Sequence, residues 1–321
     1  MAEFWLFVAV IAGIYSIFAL GLLLQFGVAG LPNFGNVAFM AVAAYTMAIA
    51  VVKFNLPMVV AAPLAIAASV LFGLVLAIPT VRLRADYLAI TTISAGEIVR
   101  YLALNLQDVT GGSAGSVNML GPGFAASYNK DWLAFQSRVQ DLISNVLGQP
   151  VSTDLAMAVI VWPVAIGLTV AVWYMVRSPW GRVLRSIRED EEASMALGKD
   201  VFRYKLQAFS VGAALTGLAG LFLAWQVSSF SPDDFKPVLT FYAFIIVILG
   251  GKTTVWAVPI GALVFGLIFA GTRFLDFWPL SIFDSGERAF LRLMIVGIAL
   301  IVLVIWKPQG FFGKRSEVAL E

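Results

Sequence analysis

Long apolar runs recur along almost the whole of this chain, separated by short polar connections. About 20 apolar residues are what an α-helix needs to cross the hydrocarbon core of a bilayer. Backbone inside that core must satisfy its own hydrogen bonds, which favours helices. Nine segments meet or approach this length: 4–24, 35–52, 57–79, 87–105, 154–176, 205–227, 238–250, 256–274 and 289–306. The shortest, 238–250, ends at Gly250-Gly251 and reads as a half-helix or as joined to its neighbour through a break. The pattern predicts an all-α polytopic membrane protein, one transmembrane domain over 1–321 with about nine transmembrane or part-spanning helices.

Composition narrows the function classes. Charged residues make up 12% of the chain, against roughly 25% in soluble domains, and 60% of residues are hydrophobic. There is no Cys and no His. Thiol chemistry, disulfides and the commonest general base and metal ligand are therefore excluded. The net charge is only +2 and the basic residues flank apolar runs, a pattern that argues against nucleic acid as a partner. Met1 to Leu24 lacks a basic leader and a small-residue cleavage site, so it reads as a retained first helix.

The distribution of Lys and Arg orients the spans. With the N-terminus outside, the cytoplasmic connections hold 13 of them: Arg82, Arg84, seven in 177–205, Lys252, Lys307, Lys314 and Arg315. The outer connections hold five: Lys53, Lys130, Arg138, Lys236 and Arg288. The C-terminus is then cytoplasmic, as expected of a multi-pass protein of a bacterial-type plasma (inner) membrane. The longest connection, 106–153, falls outside. Its second half places Phe135, Val139, Leu142 and Val146 at helical spacing, predicting an amphipathic helix on the outer membrane surface or a lid on the bundle. Gln25 to Asn36, with three Gly, one Pro and two Asn, breaks the first helix, and Asn33 is placed to cap the next.

The most charged connection is 178–205. Ser178-Pro179 is a helix start, since Ser caps and Pro suits the first position. Arg182, Arg185 and Arg188 follow on one side, and Val183, Leu184 and Ile187 on another. Glu189 to Glu192 supplies four acids suited to a second helix N-terminus, and Gly198 suits a left-handed C-terminal cap. The prediction is a cytoplasmic two-helix segment. It is either a solvated connector whose arginines set topology or a preformed interface.

The stretch SPWGRVLRSIREDEEASMALGKDVFRYKLQAF closely resembles the cytoplasmic coupling segment of LivM-type permeases, subunits of ABC importers for branched-chain and other hydrophobic amino acids. Arg188, Glu189, Asp190, Glu191, Gly198, Tyr204, Lys205, Leu206, Ala208 and Phe209 match its pattern. In the same order, DYLAITTISAGEIVRYLALNLQDVTGGSAG, the run from Asn33 to Tyr45, Ser231-Pro232, Leu249-Gly250-Gly251 and WKPQGFFG resemble further elements of that family. Asn36 stands where His is frequent.

The resemblance implies a permease subunit. It would pair with a LivH-like sister permease, two ABC ATPase subunits and an extracytoplasmic substrate-binding protein. No cofactor is expected in this chain, with ATP and Mg on the partner subunits. Gly250 to Thr254 lacks the earlier Gly of a phosphate loop, so it offers no ATP site of its own. Arg185, Arg188, Glu189, Asp190, Glu191 and Gly198 are the expected ATPase-coupling residues. Asn36, Thr91, Thr92, Ser94 and Glu97 are candidates for the translocation path. Glu97 instead pairs with Arg100 on one helix face in the alternative reading, because an ionisable residue at that depth needs either a function or a partner. Branched-chain amino acids are the expected cargo. A stand-alone secondary transporter or channel, and an ABC permease for urea or amides, remain the alternatives.

Overall fold

The structure, a computed structural model, describes residues 2–119, 128–227, 229–251 and 253–271, with the isolated positions 294, 297, 298, 301 and 302. Every regular element among the described residues is helical. Helix α1 (Ala2–Leu22) runs on through a π turn (Leu23–Val28) before α2 (Val37–Val52), α3 (Met58–Thr80) and α4 (Ala85–Asn105). The short α5 (Gln107–Thr110), a 3-10 segment (Gly112–Asn118) and α6 (Lys130–Leu147) build the long connection. Then come α7 (Thr153–Arg177), α8 (Pro179–Glu189), α9 (Glu191–Ala196) and α10 (Val201–Gln226). A 3-10 turn (Pro232–Phe235) precedes α11 (Val238–Gly250) and α12 (Ala257–Gly271). Eight of the nine expected spans thus have a helix; 289–306 lies outside the described residues apart from the isolated positions just named.

Residues 3–28, 58–80, 153–177 and 201–226 form helices long and apolar enough to cross a bilayer. The apolar windows of the first and last are 78% and 72% buried, those of α3 and α7 only 28% and 39%. Helices α1 and α10 are therefore the centre of the bundle, with α2, α3, α7, α11 and α12 around them. Without water to drive association, membrane helices hold together by close packing and interhelical hydrogen bonds. Small residues on α10 permit this: a Cβ at Gly220 would collide with the backbone of Met40 on α2. The outer surfaces are apolar, with Leu71, Val75 and Ile78 of α3 and Val159 and Ile166 of α7 exposed.

Contacts sort the connections into two ends. At one end Arg188 reaches the π turn, Arg82 lies over the Phe202 ring at 4.8 Å, and Trp173 meets Trp256 with centroids 6.5 Å apart. At the other, the Lys53 ammonium donates to the Asp108 carbonyl, Met58 N donates to Asp131 Oδ2 at 3.1 Å, and Ser116 N donates to the Phe230 carbonyl at 2.9 Å. These are the two sets that alternation along the sequence separates. Arg177 sits 3.9 Å over Trp173 at the first end, an aromatic and cationic anchor of the kind found at membrane–water boundaries.

Helix α6 confirms the predicted helical spacing and shows which face is covered. Trp132 and Gln136 are buried, with Trp132 stacked on Trp225 of α10 at 4.2 Å, while Phe135, Leu142 and Val146 point outward. Burial pushes the nearby Tyr128 phenol above its ordinary range; it donates to the Val227 carbonyl at 2.8 Å.

Gly220→Ala should lower the thermal unfolding midpoint of the detergent-solubilised chain, because overpacking costs about 1–3 kcal/mol. Gly167→Ala, where a Cβ meets nothing within 4 Å, should leave the midpoint unchanged or slightly raised. Equal effects from the two would remove the packing argument.

Candidate functional site

The charged hairpin is two capped helices, as its residues predict. Ser178 Oγ accepts from Gly181 N at 3.4 Å, and Pro179 occupies the first turn of α8. Leu184 and Ile187 turn inward and are buried. Asp190 leaves the helical conformation (φ −152°), and its Oδ1 accepts from Ala193 N at 2.9 Å, opening α9. The Ser186 and Ser194 hydroxyls meet at 2.7 Å, and Lys205 Nζ pairs with Glu191 Oε2 at 2.6 Å. Gly198 sits at φ +76°, the left-handed conformation that favours glycine. Lys205 itself belongs to α10, so the hairpin proper ends at Asp200. These bonds make the hairpin one rigid body with the start of α10.

The expected coupling residues divide by direction. Arg185 donates through Nη2 to the Val176 carbonyl at 3.1 Å, and Arg188 donates through Nη1 to the Gly27 carbonyl. Asp190 and Glu191 hold the hairpin together. Glu189 faces water, with Arg188 at 3.9 Å, and Gly198 is exposed. The tip also exposes large apolar side chains, Leu197 at 78% and Met195 at 51%, among the exposed charges of Glu192, Lys199 and Asp200. The sequence contained this tip as Ala193 to Leu197, but local capping reads those residues only as helix builders.

A second polar group surrounds the break between α1 and α2, at the heart of the bundle. The buried Gln25 donates through Nε2 to the Phe209 carbonyl of α10 at 3.0 Å and accepts through Oε1 from Asn33 Nδ2 at 2.9 Å. Asn33 Oδ1 accepts from Gly35 N at 3.0 Å. Asn33 therefore ties the turn together and does not cap α2, as the sequence suggested, because the helix starts only after Asn36. The first amide of α2, Val37 N, is capped by Thr240 Oγ1 of α11 at 3.0 Å. The Asn36 amide accepts from Thr216 Oγ1 at 3.2 Å, and its Nδ2 is buried without a partner. Phe34 N donates to Thr92 Oγ1 at 3.1 Å. Gly35 is required here, since a Cβ would strike the Thr92 carbonyl.

The candidate path residues do not come together. Thr92 and Asn36 are buried at the break. Thr91 and Ser94 lie on a more open side of α4, donating to the carbonyls of Tyr87 at 2.7 Å and Ile90 at 2.8 Å. Glu97 takes the paired alternative: Arg100 Nη2 sits 2.7 Å from Glu97 Oε2, and Arg100 Nη1 is 3.0 Å from Asp233, beside Lys236 at 3.5 Å. Gln25, Thr216, Thr240 and Asp233 were not legible as site residues. Gln25 alone left a signal, as an isolated amide inside an apolar run.

Asn33→Ala should strand the Gln25 carbonyl oxygen and the Gly35 amide, at about 1–3 kcal/mol for each group, and lower the unfolding midpoint accordingly. Thr91→Val and Ser94→Ala should stay within roughly 0.5 kcal/mol of the parent, measured by the same thermal unfolding. Equal losses at all three positions would mean that the break is not specially held.

The chain matches the family model described as branched-chain amino acid transport system, permease component, over residues 4–304. It is 34% identical over 309 residues to the high-affinity branched-chain amino acid transport system permease protein LivM of Salmonella typhimurium, covering 94% of this chain and 68% of the relative. The corresponding Escherichia coli LivM is 32% identical over 308 residues, with coverage of 94% and 68%. The probable LivM of Methanocaldococcus jannaschii is 26% identical over 347 residues, with coverage of 95% and 92%. No solved structure matches the chain. A match across nearly the whole chain, on an all-helical bundle, means that this protein belongs to the family of branched-chain amino acid transport system permease components.

Proposed function

We propose that the chain is the transmembrane permease of an ATP-driven importer of branched-chain amino acids, working with a sister permease, two separate ATPase subunits and a binding protein on the outer face. The observation that carries this reading is the hairpin. A connector that only set topology would need its arginines and no more. Here the caps, the Ser186–Ser194 contact and the Lys205–Glu191 pair brace an exposed apolar tip, Met195 and Leu197, beside Glu189 and Gly198. A rigid apolar projection with an acidic flank fits a groove on an ATPase subunit that has an apolar floor and a basic rim. Because the arginines concentrate at this end, it is the cytoplasmic end and the N-terminus lies outside.

The path follows from α4. Its open face carries Thr91 and Ser94 among Tyr87, Ile90, Ile98 and Tyr101. Hydroxyls on an open face can line a passage only when a second chain covers it, so the path runs between this chain and the sister permease. The apolar side chain of the cargo meets Ile90 and Ile98, and its zwitterionic end exchanges hydration for the hydroxyls. Binding of ATP drives transport only if the ATPase binds the inward- and outward-facing states with different affinity, and the hairpin tip is where that difference acts.

Leu197→Glu should weaken co-purification of the ATPase subunit roughly 30-fold, the effect of losing a buried interface anchor, with the permease still folded by thermal unfolding. Undiminished co-purification and uptake in that variant would exclude the tip as the docking element.

A further inference from the structure

The π turn of α1 leaves a carbonyl that its own helix does not satisfy. Ala29 N bonds the Leu24 carbonyl at 3.1 Å, Gly30 N the Phe26 carbonyl at 3.2 Å, and Leu31 N the Gln25 carbonyl at 2.8 Å. The next residue, Pro32, has no N–H to offer. The Gly27 carbonyl is thus an orphan of the helix end, and it is Arg188 that satisfies it, from 161 residues away. Gly30, at φ +71°, lies directly beneath the same side chain, and a Cβ there would stand 2.7 Å from Arg188 Cγ. The arginine stem therefore occupies a seat made by the absence of a side chain. The turn it holds also carries Gln25, whose amide reaches α10 and Asn33.

We propose that Arg188 is a positioning residue that transmits movement of the hairpin to the π turn of α1, and through Gln25 to the polar break at the bundle centre. The proposal rests on the reading of the hairpin as ATPase-coupled. The Arg188 guanidinium turns inward onto the bundle. It acts through the Gly27 carbonyl, while Glu189 and Leu197 beside it face outward. When the hairpin shifts on its partner, the guanidinium carries the end of α1 with it.

Two measurements test this. The first uses the purified permease alone, with hydrogen exchange followed by mass spectrometry. Arg188→Ala should speed exchange of the amides at 29–31 by at least about tenfold, since a charged hydrogen bond is lost, and leave α7 unchanged. Gly30→Ala should do the same by unseating the arginine without removing its charge, and Arg188→Lys should restore part of the protection. The second uses the complete transporter in proteoliposomes, scoring ATP hydrolysed per substrate taken up. Arg188→Ala should raise that ratio about tenfold or more with the ATPase subunit still bound. Unchanged exchange at 29–31, an unchanged ratio, or loss of the ATPase subunit from the complex would each overturn the proposal. If the wild-type transporter shows no ATP-driven uptake, the importer reading fails, while the exchange result still decides the joint between Arg188 and the π turn.

Discussion

Backbone polar groups that a broken helix exposes inside a bilayer must be satisfied by protein, because no lipid group can do it. The break between α1 and α2 shows this constraint at several of its groups. Gln25 and Asn33 bridge the turn, Thr92 accepts the Phe34 amide, Thr240 caps Val37, and Arg188 takes the Gly27 carbonyl. Five side chains thus bring four other elements, α4, α8, α10 and α11, onto one interruption in α1–α2. Remove the break and these residues have no reason to converge. Leave it unsatisfied and each group carries a desolvation penalty of about 1–3 kcal/mol.

The same constraint links the charged end of the protein to its interior. The hairpin is braced from α9 to α10 by Lys205 and Glu191 and within itself by Ser186 and Ser194. It touches the end of α1 through Arg188 and the end of α7 through Arg185. The buried Leu184 and Ile187 add an apolar seat, so the hairpin is joined to the bundle by packing as well as by hydrogen bonds, and a displacement of it bears directly on α1, α7 and α10. At the other end, the Arg100–Asp233 pair fastens α4, and the Ser116–Phe230 hydrogen bonds fasten the 3-10 segment Gly112–Asn118, to the stretch before α11. The bundle is therefore tied at both ends, while the open face of α4 lies between the ties.

What the sequence made legible is what acts over a few residues. Ser178 and Asp190 cap the starts of α8 and α9, Pro179 suits the first position of α8 and Gly198 takes the left-handed turn after α9, so both hairpin helices follow from residues within a turn of their ends. Apolar length revealed α1, α3, α7 and α10, and the Gly, Pro and Asn content of 25–36 revealed a break. Direction was harder to read. Arg188 shares a helix side with Arg182 and Arg185, yet it faces a carbonyl 161 residues away that spacing cannot reveal. Thr91 and Thr92 are neighbours in sequence but diverge by about a quarter turn of helix, so one faces the break and the other the open side. Thr240 looks like an ordinary member of an apolar run until α11 is placed beside Asn36. Leu197 is exposed because α9 buries only Ser194, whereas α8 buries Leu184 and Ile187, a division that no local pattern encodes.

In the proposed function, this bundle moves cargo only when other subunits hydrolyse ATP against its hairpin. The most direct measurement is uptake of radiolabelled leucine into liposomes containing the purified chain alone, the chain with its sister permease, and the complete transporter with ATPase subunits and binding protein. Accumulation should occur only in the complete transporter and should cease when ATP is replaced by a non-hydrolysable analogue. Concentrative uptake by the chain alone under an imposed ion gradient would contradict the account.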